Sequence, residues 1–487
     1  MLQQVTPTAE LSISEESVPL VVDLDGTLLR SDLLIDTGAT HIGDRPNEIG
    51  AVFAALRRGK AELKQHLAER VAIDPATLPY EEAVLDLVRA AHAEGRPVWL
   101  ASASHERHVA AIAEHLGLFD GWLASDRSTN LSGAAKADRL VAEFGEKGFD
   151  YVGNDTPDLE VWTHSRKALL VRPSASLLAR ARKVADDVEV LDTAPIGRPR
   201  DWLKLLRVHQ WAKNLLIFVP LATSHSFNLG SAGAALVAFF AFSLLASAIY
   251  VVNDLVDVAA DRAHRSKCRR PLAAGTIGVL PALGVAAAFA ATSFALAAAV
   301  NGALAGVLVG YFALTTAYSF YLKRKLLIDV VALAMLYTVR VVAGAMAISV
   351  PLSEWLLGFS MFVFVSLALV KRYVELAARF DAGLPDPTNR RYRVSDLDVI
   401  AALAGGSAFN AVTVFALYAS SPAVHEIYRH PFALWLVCPV LTYWLTRVLV
   451  LAHRREMDDD PIVFALKDRV SLVTFALIAV IVLFAKF

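Results

Sequence analysis

Hydrophobic and polar residues follow two different patterns along this chain. Up to about residue 190, short apolar runs (PLVVDLDG, RPVWLASAS, FDYVGND and KALLVRP) are separated by amphipathic stretches such as EEAVLDLVRAAHAEG. Strand-length runs alternating with helical patterns predict an α/β domain built on a parallel sheet. The pattern breaks at Pro195, Gly197 and Pro199, which mark a linker. WLKLLRVHQWAKN follows, with two tryptophans and three Lys/Arg residues, suited to lying along a membrane surface; linker and interfacial helix together cover 191–213. From Asn214 onward the chain is mostly apolar runs of roughly 20 residues, the length that crosses a bilayer core. Nine spans are expected, near 214–228, 232–252, 278–298, 301–321, 326–348, 353–371, 397–419, 431–452 and 468–486.

The connectors between these runs alternate in charge. Those after the second, fourth, sixth and eighth spans hold nearly all the Lys and Arg, including Arg262, Lys267, Arg270, Lys323, Arg372 and Arg390. The positive-inside rule puts those connectors and the N-terminal domain on the cytoplasmic side of the inner membrane. The first residues, MLQQVTPTAELSISEESVPL, lack the basic and apolar regions of a secretory signal, which agrees with that orientation. Composition supports a membrane component: the 487 residues are 55% hydrophobic and the mean hydropathy is +0.46. A net charge of -1 offers no footprint for nucleic acid, and two cysteines support neither a disulfide framework nor a zinc site.

One charged connector is more than a topology signal. In YVVNDLVDVAADRAHRSKCRRPLAAG, Asp254, Asp257 and Asp261 are spaced i, i+3 and i+7, one stripe of a helix with Asn253 beside it. Acids at the end of a span are costly unless they hold a cation, and hard oxygen ligands point to Mg²⁺ carrying a diphosphate. The stretch resembles the first acidic motif, NDxxDxxxD, of the UbiA superfamily of intramembrane prenyltransferases, over about residues 200–487. That resemblance implies an all-α polytopic domain of about nine transmembrane helices over 214–487. Family members carry a second motif, DxxxD, after helix six, whereas this chain reads VKRYVELAARFD, with Lys371 and Glu375 at that spacing and Arg372 alongside. A base grips phosphate directly, where an acid needs a bridging metal.

That departure, with LRVHQWAKN, ADRAHRSKCRRPLAAG, YSFYLK and KDRV, resembles one branch of the superfamily, the polyprenyl-phosphate phosphoribosyltransferases. The branch has Pro and Arg commonly where this chain has Arg265 and Cys268. The resemblance implies 5-phosphoribosyl 1-diphosphate (PRPP) as donor and a lipid polyprenyl phosphate as acceptor. Candidate catalytic residues are then Asp254, Asp257 and Asp261, which would also bind Mg²⁺. Candidate substrate contacts are Lys213, Asn214, Asn253, Arg262, Lys267, Arg270, Lys323, Lys371, Arg372 and Glu375.

The N-terminal domain carries a second aspartate motif. PLVVDLDGTLL ends in DxDGT, placing Asp23 and Asp25 at the carboxyl end of a buried strand, where open α/β sheets put their sites. Ser102 in VWLASAS, Lys136 in SGAAKADRL, and Asn154, Asp155 and Asp158 in YVGNDTPD follow in order. Together they resemble the haloacid dehalogenase superfamily of phosphatases, with a Rossmann-like core over 1–190 and a small helical cap at about 33–90. By that resemblance Asp23 is the nucleophile and Asp25 the general acid/base, while Ser102 and Lys136 hold the phosphoryl group. Asp23, Asp25, Asn154, Asp155 and Asp158 are the candidate Mg²⁺ ligands. Asn154 departs from the usual acid, leaving Asp155 or Asp158 to complete the shell, with Asp155 favoured.

Joined, the halves predict a bifunctional enzyme that makes polyprenyl-phosphoryl-5-phosphoribose and then removes the 5-phosphate. A competing expectation is prenylation of an aromatic acceptor by an isoprenyl diphosphate beside an unrelated phosphatase domain. A third is a regulatory domain on a lipid-binding membrane protein.

Overall fold

The structure is a computed structural model, and it describes residues 18–127, 129–224, 228–387, 390–457 and 460–487. The chain forms two compact units: Met1–Leu206 with Val251–Gly284, and Arg207–Tyr250 with Val285–Phe487. By hydropathy the segment 251–284 goes with the apolar helices. Its contacts tie it to the N-terminal unit instead, through an Arg262–Asp36 ion pair of 2.8 Å and a Gly197 N–H donated to the Thr276 carbonyl at 2.7 Å.

In the first unit six strands, β1 (Leu20–Val22), β2 (Val98–His105), β3 (Gly121–Ser125), β4 (Asp150–Gly153), β5 (Lys167–Val171) and β6 (Asp187–Leu191), form one sheet in the order β3-β2-β1-β4-β5-β6. Every pairing is parallel. Because side chains alternate along a strand, Leu20 and Val22 enter a core with Leu100 and Val152, while Val21 enters another with Ala101 and Tyr151. Both faces are covered, which explains the unbroken apolar strands. The strand order reverses beside β1, and such a switch point opens a crevice at the carboxyl ends of the strands.

Helices Leu33–Asp44, Ile49–Arg58 and Lys60–Ala68 follow β1. They share a small core of their own around Ala55, Leu63 and Leu67. Helix Glu82–Ala93, which the sequence pattern assigns largely to the same cap, packs Val84, Leu85 and Val88 into the core on one face of the sheet.

Among the described residues eight helices are long and apolar enough to cross a membrane: α1 (Leu229–Val256), α2 (Val279–Val300), α3 (Gly302–Phe320), α4 (Ile328–Ala347), α5 (Glu354–Asp381), α6 (Val394–Ala419), α7 (Pro431–His453) and α8 (Arg469–Lys486). The chain is an integral, multi-pass membrane protein. The first expected span, 214–228, is not one continuous helix: Val208–Phe218 is a 3-10 helix and Val219–Thr223 a single helical turn, with His225, Ser226 and Phe227 outside the described residues. Buried polar groups account for this break. Asn214 donates to the Ser243 hydroxyl at 2.9 Å and accepts from Arg340 at 2.8 Å, and Pro220 has no N–H to continue a ladder.

Candidate functional site

The end of β1 delivers Asp23 and Asp25 into the crevice at the switch point. Lys136 reaches Asp23 at 2.7 Å and also donates to the Tyr151 hydroxyl at 2.8 Å. The Thr27 hydroxyl lies 3.3 Å from Asp23 and 3.0 Å from the Asn154 amide oxygen. Asp25 accepts from the Leu33 N–H at 2.8 Å, from Ser104 at 2.6 Å and from Ser102 at 3.3 Å. Burial dominates the electrostatics: it pushes the Asp23 carboxyl up to about 7 although Lys136 pulls it down, and it raises Asp25, with Asp32 adding like-charge repulsion. Burial thus raises both carboxyl groups, with Lys136 beside Asp23 and the Ser102 and Ser104 hydroxyls beside Asp25.

The GNDTPD turn separates its members. Asp158 is committed locally, accepting from Tyr151 at 2.9 Å and from the Asn154 and Asp155 N–H groups at 2.9 and 3.0 Å. Asp155 is exposed and accepts from the Thr156 N–H at 2.6 Å. Asn154 faces the turn after β1 so closely that a Cβ on Gly26 would come within 2.3 Å of its amide nitrogen. Carboxylates and an amide around one crevice are hard oxygen donors of the kind Mg²⁺ takes, with Asp23 and Asn154 directed inward.

Ser104, Tyr151 and Lys64 were not singled out by sequence. Ser104 was legible, because it follows Ser102 by two on a strand and so shares its face. Lys64 donates to the Ala103 carbonyl and to Asn130 from the helical layer, a contact no local pattern announces.

In the segment 251–284, Asp254 and Asp261 do converge, and the cation between them is Arg270, at 3.1 and 2.6 Å. Two carboxylates sharing one cation fit Mg²⁺ by donor chemistry, although among the described residues no group of three or more His, Cys, Asp or Glu is gathered as a metal cage. Asp257 occupies the N-cap position of the short helix Val258–Arg262, and Asn253 is half-buried. Lys267 is exposed, 4.0 Å from Asp261. Arg262 is not presented to a phosphate: it is buried, paired with Asp36 and donating to the Ala273 carbonyl at 3.1 Å.

The second unit sorts its basic residues sharply. Lys213 and Lys371 both approach Asp460, Lys213 as a short ion pair and Lys371 at 3.7 Å. Two ammonium groups on one carboxylate leave a net positive, largely buried cluster that suits a phosphate oxygen. Arg372, by contrast, is buried against Asp329 at 2.8 Å and against Glu375. Arg390 and Tyr392 complete that network, at 3.6 and 2.6 Å from Asp329. Arg372 and Glu375 thus satisfy each other instead of lining an open clamp. Lys323 is half-buried in the turn Leu322–Arg324. Asp460 lies in a run of acids before Pro461 and caps the helix Pro461–Lys467, so its side chain was readable as a helix start but not as a lysine partner.

Helices apolar enough to cross a membrane, with the acidic stretch Asn253–Asp261 beginning at the end of α1, are the features of an intramembrane transferase family. A model of the UbiA prenyltransferase family matches residues 215–472, and the chain belongs to that family. The uncharacterized protein y4nM of Sinorhizobium fredii is 36% identical over 472 residues, covering 96% of this chain and 91% of the relative. Decaprenyl-phosphate phosphoribosyltransferase of Mycobacterium tuberculosis is 36% identical over 198 residues, 39% of this chain and 64% of that enzyme. A solved UbiA homologue from Archaeoglobus fulgidus, bound to GPP and Mg²⁺, aligns over 58% of this chain and 99% of its own, at 18% identity and a TM-score of 0.45.

Proposed function

We propose that the chain is a bifunctional enzyme: the membrane half transfers 5-phosphoribose from PRPP to a polyprenyl phosphate, and the N-terminal unit, a haloacid dehalogenase-like phosphatase, removes the 5-phosphate. The observation that carries the reading is the Lys213–Asp460–Lys371 cluster, with a base where the family's second motif begins with an acid. Similarity to decaprenyl-phosphate phosphoribosyltransferase over part of that enzyme supports it.

In the first step a phosphate oxygen of the lipid forms a bond to ribose C1 as the C1–O bond to diphosphate breaks. Lys213 and Lys371 bind phosphate oxygens, and Asp254, Asp257 and Asp261 are the residues that would hold Mg²⁺. In the second step Asp23 attacks the 5-phosphorus and the P–O bond to ribose breaks, while Asp25 gives its proton to the leaving 5-oxygen. Water then hydrolyses the aspartyl phosphate, with Asp25 as base. Lys136 offsets charge on the phosphoryl oxygens, and Asp23, Asn154 and Asp155 are the residues that would hold the second Mg²⁺. When bound, Mg²⁺ would neutralise the diphosphate at one site and the phosphoryl group at the other. Both chemistries are assigned to the cytoplasmic face of the inner membrane, from the charge of the connectors.

The test is Asp23→Asn in the full chain. The variant is expected to accumulate lipid-linked 5-phosphoribose, whereas unchanged release of phosphate would sink the phosphatase assignment.

A further inference from the structure

The crevice holding Asp23 and Asp25 is a cavity of about 460 Å³, and the α/β domain does not build it alone. Its lining comes from two parts of the chain. Asp23, Asp25, Lys64, Lys136 and Asn154 line it from the α/β domain, with Leu34 and Ile35, and Leu272, Ile277, Val279 and Leu280 line it from the segment that follows the acidic stripe.

Several contacts hold that segment in place within the unit. The Arg262–Asp36 pair is buried on both sides. Gly275, at φ 65°, lies so close to Arg30 that a Cβ there would come within 2.5 Å of the Arg30 Cβ. A Cβ on Gly43 would likewise come within 2.5 Å of the Val256 side chain. Leu272 and Ile277 are buried, but Leu280 is 70% exposed at the cavity's edge, in the first turn of α2, a helix apolar enough to cross a membrane. A small soluble phosphomonoester has no use for an apolar wall ending in the start of a membrane helix. A phosphomonoester with a long hydrocarbon tail does, because its tail can leave the cavity along apolar side chains.

We propose that the segment 272–281 is a specificity wall, selecting phosphomonoesters attached to a lipid tail, and that Leu280 is its outermost tail contact. This rests on the phosphatase reading above and adds to it the residues that read the tail. It also makes one segment, 251–284, carry both the acids of the transferase motif and the wall of the phosphatase cavity.

The test uses the full chain in detergent with Mg²⁺, comparing wild type with Leu280→Asn. Three substrates are supplied: p-nitrophenyl phosphate, ribose 5-phosphate, and ribose 5-phosphate joined through its C1 phosphodiester to a polyprenyl chain. The wild type is expected to favour the lipid-linked ester over ribose 5-phosphate in kcat/KM. Losing one apolar contact should lower that ratio roughly tenfold in the variant. A wild type without preference for the lipid-linked ester, or a variant that keeps the ratio, overturns the wall while leaving the phosphatase assignment standing. No Mg²⁺-dependent turnover of any of the three overturns the phosphatase reading and the wall with it.

Discussion

Lys136 and Arg372 are both buried cations, each held by carboxylates, and their surroundings give them different consequences. Lys136 faces Asp23 inside a cavity, where a substrate phosphate can join the pair. Arg372 and Asp329 are enclosed, with side chains 1% and 0% exposed. Breaking a buried pair strands its partner, so Arg372→Leu is expected to cost about 3–5 kcal/mol of stability. Adding Asp329→Asn should recover part of the loss in thermal unfolding, and a single variant that melts like wild type would contradict the pairing. At Asp23 the prediction concerns pH. Burial raises the folded value to about 7 from 3.8, so the metal-free acid is mostly protonated below 7 and cannot attack. Phosphatase rate should therefore rise with pH through that region, and the limb should move lower as Mg²⁺ is added. Stability runs the other way: the folded state keeps a proton that the unfolded chain has released, so Asp23 contributes less to folding as pH rises from 3.8 to about 7. The difference in thermal stability between Asp23→Asn and wild type should accordingly shift in the variant's favour as pH rises across that window, on top of the constant cost of leaving Lys136 without its carboxylate partner.

Among the elements, the short strand β1 was the most legible, because a buried apolar run ending in DxDGT combines a strand signal with its chemistry in adjacent residues. Ser102 and Lys136 were legible for the same reason, each lying within a recognisable local pattern. The 214–228 segment is less legible, because hydropathy averages over Asn214, while the fold turns Asn214 and the preceding Lys213 inward and spends the backbone on 3-10 turns. That segment is pinned by α4. A Cβ on Gly344 would meet the Ile217 carbonyl oxygen at 2.0 Å and the Pro220 ring at 3.0 Å. Gly344→Ala must push the two apart, at about 1–3 kcal/mol for overpacking. Since Lys213 rides on the displaced segment, phosphoribosyl transfer should fall more than phosphatase turnover in the same preparation. Equal effects on both activities would detach Lys213 from the transfer site.

Across the whole molecule, the division into a parallel α/β sheet and a polytopic helical half was legible from periodicity alone. Membership of segment 251–284 was not. Arg262 looks like a topology charge in a connector, and only the fold reveals Asp36, far back in the chain, as its partner. The y4nM relative extends across nearly this entire chain, so the two halves are joined in that protein too. On the proposed reading, one polypeptide transfers phosphoribose to a lipid and then trims it. The most direct measurement supplies purified full-length protein with Mg²⁺, isotopically labelled PRPP and a polyprenyl phosphate, and follows the lipids by mass spectrometry. The expected result is labelled polyprenyl-phosphoryl-5-phosphoribose that gives way to labelled polyprenyl-phosphoryl-ribose. A lipid fraction without label, under conditions where an isoprenyl diphosphate and an aromatic acceptor are joined, would contradict it.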